Sequence, residues 1–117
     1  MSSKREFIDF LNDILDSITK IKKFTKGMSY DKFFSDDKTN YAVVRCFEII
    51  GEAAKKIPPR IKNKNKSIPW QEMAAIRDKL IHGYFGVNLE VIWKTIQEDI
   101  PELESLLIQI MKKQKKG

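Results

Sequence analysis

Phe7, Leu11, Ile14, Ile18 and Ile21 recur at alternating steps of four and three. That rhythm draws one apolar stripe along an amphipathic helix, with Asp9, Asp13 and Asp16 falling off it. Gly27 supplies a stop, because glycine adopts the left-handed conformation that ends helices without a steric cost. Ser29 then offers a cap for a short helix in SYDKFFSD. The next long segment, about residues 38–57, is apolar on more than one face: Val43, Phe47, Ile50, Ala54 and Ile57, with Val44, Cys46 and Ile49 beside them. A helix apolar this far round is predicted to be central and packed on several neighbours. Pro58 and Pro59 end it, since proline lacks the N–H and restricts the residue before it.

The stretch PPRIKNKNKSI reads as a basic loop carrying at most one short turn. Pro69 suits the first turn of a further helix, with Gln71 and Glu72 near its positive end and Trp70, Met73, Ile76 and Leu80 on its buried side. That helix is predicted to stop at His82, where Gly83 makes a left-handed cap easy. Asn88 caps the last segment, in which Leu89, Trp93, Ile96, Ile100, Leu103, Leu107 and Ile110 keep the same rhythm straight through Pro101. The unbroken phase implies one kinked helix or two helices sharing a face. No useful length alternates with period two. The expected architecture is all-α: an up-and-down bundle of four main helices plus short extra ones, in a single domain spanning 1–117 with a lysine-rich tail at about 112–117.

Composition narrows the classes open to such a bundle. Its 117 residues are 42% hydrophobic and 32% charged, enough to bury one core. No apolar run approaches the roughly 18 residues needed to span a bilayer, and Met1 is followed by SSKREF in place of a secretory leader, so a cytoplasmic protein without membrane association is expected. Cys46 has no second cysteine to pair with and, as a small hydrophobe, is expected in the core; one cysteine and one histidine cannot make a zinc site between them. No metal or other cofactor is expected.

The net charge of +6 is unevenly placed. Without Lys112, Lys113, Lys115 and Lys116 in the tail and Lys62, Lys64 and Lys66 in the loop, the rest of the chain sits one charge below zero. These seven lysines are either a solvated surface that aids solubility or a screened attraction for a polyanion such as RNA. Charge alone does not choose.

The only histidine lies in RDKLIHGYFGVN, residues 77–88. Five residues of α-helix rise about 7.5 Å and turn about 140° between 77 and 82, so Arg77 and His82 converge only if the helix ends near His82 or a second copy brings its own pair opposite. Histidine exchanges protons near neutral pH, and arginine forks onto phosphate oxygens. Together they suit cleavage of RNA through its own 2′-hydroxyl, which needs two proton-transfer groups. With one histidine per chain, that chemistry would require a symmetric dimer. On spacing alone, a surface or cap histidine and a packed Tyr84 account for the same residues. Asp78 is either a helix-face carboxylate or an orienting partner of Arg77 or His82. Glu48 and Glu52 stand on the otherwise apolar central helix; Glu52 reads first as reaching a polar partner at the helix interface or lying on a solvated or subunit-facing strip, with a catalytic role as the lesser reading.

The whole stretch resembles the signature of the HepT-like proteins, toxin-side members of the HEPN superfamily, whose motif R-x4-H-x-Y is intact at Arg77, His82 and Tyr84. FEIIGEAAKKI at 47–57 is similar to that family's central helix, IPWQEMAAIRDKLIHGYFGVNLEVIW to its motif region, and TIQEDIPELESLL to its final helix. The resemblance implies a homodimeric helical bundle whose two motifs line a shared cleft, acting as a metal-independent endoribonuclease. It also implies a type VII-like toxin–antitoxin pairing with an MNT-type nucleotidyltransferase that places AMP on Tyr84. Bulk and negative charge there would repel an anionic substrate. Under this resemblance Arg77 binds phosphate, His82 is the acid–base group, Asp78 supports them and Tyr84 is the site of control. The rival expectation, from a different class, is a non-catalytic helical partner that presents substrate or nucleotide to a nucleotidyltransferase. A plain helical scaffold is the third.

Overall fold

In the computed structural model the backbone is described for residues 3–82 and 88–116, and side chains for 7–76, 78 and 88–113. Every regular element among them is helical: α1 (Ser3–Thr25), α2 (Tyr30–Ser35), α3 (Asp37–Lys56), α4 (Pro59–Lys64), α5 (Trp70–His82), α6 (Leu89–Glu98) and α7 (Ile100–Lys116). The all-α bundle expected from the periodicity is the one observed.

The first stripe does what its spacing requires. Phe7, Leu11, Ile14, Ile18 and Ile21 are all buried. Gly27 takes φ +76°, in the left-handed region, and turns the chain out of α1. The Ser29 side chain then accepts from the Lys32 N–H, capping α2 as predicted. Asp36, two residues before the predicted start of the central helix, caps α3 by accepting from the Thr39 N–H. That bond holds the Asp36 carboxyl below its ordinary range.

The helix α3 is central: it packs along both α1 and α5. It lies antiparallel to α1, since Lys56 near its end sits over the Phe10 ring near the start of α1, while Asp16 and Lys20, further along α1, are neighbours of Cys46. Cys46 is buried, and burial raises its thiol pKa above the ordinary value. Asn40, also buried, donates from Nδ2 to the carbonyls of Phe33 and Phe34, 3.3 Å each, and so satisfies the open end of α2.

Two readings are corrected. The basic stretch after Pro58 is more than a loop with one turn. Pro59 opens the six-residue helix α4, where its missing N–H costs nothing, and Ile61 is buried beneath it. Pro69 precedes α5 instead of lying in its first turn, and its carbonyl accepts from the Met73 N–H. The phase kept through Pro101 resolves into two helices. The N–H of Asp99 closes α6 on Thr95, and its carbonyl accepts from Leu103 to open α7. Ile92, Ile96, Ile100, Leu103, Leu107 and Ile110 stay on one buried side across the break. Among the described residues, no helix is long and apolar enough to cross a membrane.

Candidate functional site

The buried residues Trp70 and Met73 and the half-buried Ile76 hold α5 against the core. The Trp70 Nε1–H also donates to the Asn65 carbonyl at 3.1 Å, tying the start of α5 to the turn before it. The helix α5 is described as far as His82, and the stop expected at Gly83 lies outside the described residues. Along α5, positions 77 and 82 fall on different faces and 78 and 82, four apart, on the same one. The side chains of Arg77, Leu80 and His82, together with Gly83 and Tyr84, lie outside the described residues.

The described residues resume at Asn88. The Asn88 side chain accepts from the Val91 N–H at 3.1 Å and starts α6, as expected. That helix packs on α2 and α7. Its Trp93 ring stands 5.2 Å from the ring of buried Phe33 and 6.5 Å from that of Tyr30, centroid to centroid. Both α5 and α6 are thus held by the core on either side of residues 83–87, which lie outside the described residues.

Of Arg77, Asp78, His82 and Tyr84, Asp78 alone has a described side chain. Its Oδ1 lies 2.9 Å from Lys55 Nζ on α3. Lys55 was not singled out by sequence reasoning. The signal for it was present all the same, since Arg45, Glu48, Glu52 and Lys55 fall at the spacing of one helix face. Glu48 is half-buried, with Oε1 3.9 Å from Arg45 Nη1 on its own helix. Glu52 is exposed.

The seven lysines are distributed as follows. Lys62 is half-buried on α4, while Lys64 and Lys66 are exposed. Lys112 and Lys113 are exposed near the end of α7. Lys115 and Lys116 continue that helix, with side chains outside the described residues. An apolar cleft of about 530 Å³ opens between α3, α5, α6 and α7, lined by Phe47, Ile50, Met73 and Leu103 together with Glu72, Asp99 and Glu102. Three carboxylates make this cleft a poor seat for a phosphate backbone. Among the described residues, no three His, Cys, Asp or Glu side chains are grouped to hold a metal ion.

The fold and the motif define a class: a helical bundle that carries an arginine and a histidine, five residues apart, on a helix packed against the core. The chain belongs to the ribonuclease HepT-like family, whose model matches residues 14–110 and so spans the whole motif region. A Thermococcus cleftensis protein named "Probable ribonuclease HepT" is 49% identical over 109 residues, covering 93% of this chain and 99% of that protein. A Methanocaldococcus jannaschii protein named as a candidate RNase is 48% identical over 109 residues, covering 93% of this chain and 90% of its own. Another so named, from Caldanaerobacter subterraneus subsp. tengcongensis, is 44% identical over 106 residues, with 91% and 95% covered. No solved structure gives a significant match.

Proposed function

We propose that the chain is a metal-independent endoribonuclease and the toxin of a toxin–antitoxin pair, acting in the cytoplasm as a homodimer. The observation that carries this reading is the family match across residues 14–110, with Arg77 and His82 on a helix held by the core. A histidine takes the proton of a ribose 2′-hydroxyl, and O2′ attacks the adjacent phosphorus. The P–O5′ bond breaks, and an imidazolium protonates the departing O5′. The products are a 2′,3′-cyclic phosphate and a free 5′-hydroxyl. Arg77 binds the non-bridging oxygens, whose charge grows in the transition state. Each chain has one histidine, so the acid and the base come from two copies meeting across a shared cleft.

The lysines of α4, of the turn after it and of the α7 end supply sequence-independent attraction for the RNA backbone. A partner nucleotidyltransferase silences the enzyme by transferring AMP from ATP to the Tyr84 oxygen with release of pyrophosphate. The adduct puts a phosphodiester charge and an adenosine beside a site that must accept RNA.

The chemistry has a direct test. An RNA oligonucleotide cleaved by the protein is expected to carry 2′,3′-cyclic phosphate ends, and a single 2′-deoxy substitution at the cleaved position is expected to abolish cleavage there. Cleavage that survives the 2′-deoxy substitution would sink the mechanism.

A further inference from the structure

The charged stripe of α3, at positions 45, 48, 52 and 55, follows steps of three, four and three and so runs along one side of the helix. Two contacts show where it goes. Arg45 lies 3.9 Å from Glu48 within α3. At the other end Lys55 Nζ donates to Asp78 Oδ1 at 2.9 Å, crossing to α5 at the residue after Arg77. Positions 78 and 82 share a face of α5, one turn and about 6 Å of rise apart. Lys55 therefore grips, from a different helix, the residue one turn ahead of His82.

We propose that Lys55 is a positioning residue for the ribonuclease site: it holds the Asp78 carboxylate and, by offsetting its charge, keeps the proton affinity of His82 near neutrality. The inference deepens the ribonuclease reading and rests on it for the catalytic consequence. A carboxylate at position i of a helix favours a cationic histidine at i+4. Unopposed, that carboxylate biases the imidazole toward the protonated form, which cannot act as a base. A general acid–base works best when its pKa lies near the working pH. An ammonium 2.9 Å from the carboxylate opposes that bias.

The other charged groups on the two packed helices are Asp37, Lys38, Arg45, Glu48, Glu52 and Lys56 on α3 and Glu72, Arg77 and Lys79 on α5; they are unchanged in the variants below. Side-chain exposures of 42% for Lys55 and 50% for Asp78 leave the pair open to solvent screening. The effect is accordingly a few tenths of a pH unit at low salt and shrinks as salt is added.

The chain has a single histidine, so its ring signals in an NMR pH titration identify themselves. Lys55→Met is expected to raise the His82 midpoint by about 0.3 pH unit, and Asp78→Asn to lower it by about the same. Lys55→Arg, which keeps the cation, is expected to restore the wild-type midpoint. The histidine limb of the RNA-cleavage pH profile should move with each. Opposite signs from the two halves of one ion pair separate this role from a structural one, because loosening the α3–α5 packing would act in one direction for both. Lys20→Met, which breaks the exposed Asp16–Lys20 pair of α1 (3.0 Å), is expected to leave the midpoint unchanged. Midpoints that stay put in both Lys55→Met and Asp78→Asn, or that move together, would overturn the proposal. The titration needs no RNA, so a wild-type protein that leaves RNA intact would defeat the ribonuclease reading while the midpoints still decide the coupling.

Discussion

Replacing Arg77 by lysine is expected to lower kcat for RNA cleavage by about 10²–10³-fold, the usual cost of losing one preorganised donor to a developing oxyanion. Lysine keeps the positive charge and has nearly the helix propensity of arginine, so α5 has no local reason to unwind. What it loses is the planar fork that addresses two phosphate oxygens at once. The charge retained should keep RNA bound, so KM should change far less than kcat. Single-turnover cleavage of a defined RNA, beside thermal melts of both proteins, checks this. A lysine variant with near wild-type kcat would show that a point charge is enough and that Arg77 does not grip the transition state.

The second large effect is on stability. Leu107 on α7 is fully buried, while its neighbour Ile108 is 39% exposed. Leu107→Ala is expected to cost about 2–5 kcal/mol, since the lost methyl groups leave a cavity that close-packed neighbours fill only in part. For a chain of this length that is a fall of roughly 8–20 °C in Tm. Ile108→Ala, one residue on, is expected to stay within about 0.5 kcal/mol. Paired urea unfolding curves measure both. Equal losses at the two positions would mean that the face of α7 assigned to the core is wrong.

Most of the helical frame was readable because helices declare themselves locally. The stripe of α1 and the side of α6 and α7 that runs through Pro101 are matters of spacing, and spacing is in the sequence. So are the caps at Ser29 and Asn88, where one side-chain oxygen meets one free N–H three residues on. α4 was harder to see: six residues opened by proline and rich in lysine offer a single apolar position, Ile61, too little for a periodicity to register. The ion pair between Lys55 and Asp78 could not be read at all, because it depends on how α3 and α5 slide against each other. That register is a tertiary quantity; the spacing shows only that Lys55 belongs to a charged stripe. At the site itself the structure places positions 77, 78 and 82 on α5, while the stop expected at Gly83 lies outside the described residues. The placement of the Tyr84 side chain lies outside the described residues, so its role as the point of control rests on the motif.

The most direct test of the central claim is cleavage of bulk cellular RNA in excess chelator, wild type beside His82→Ala, with an intact mass first confirming that Tyr84 carries no AMP. The account predicts cleavage that survives the chelator and disappears in the variant. Equal cleavage by the two proteins, or cleavage that the chelator stops, would contradict it.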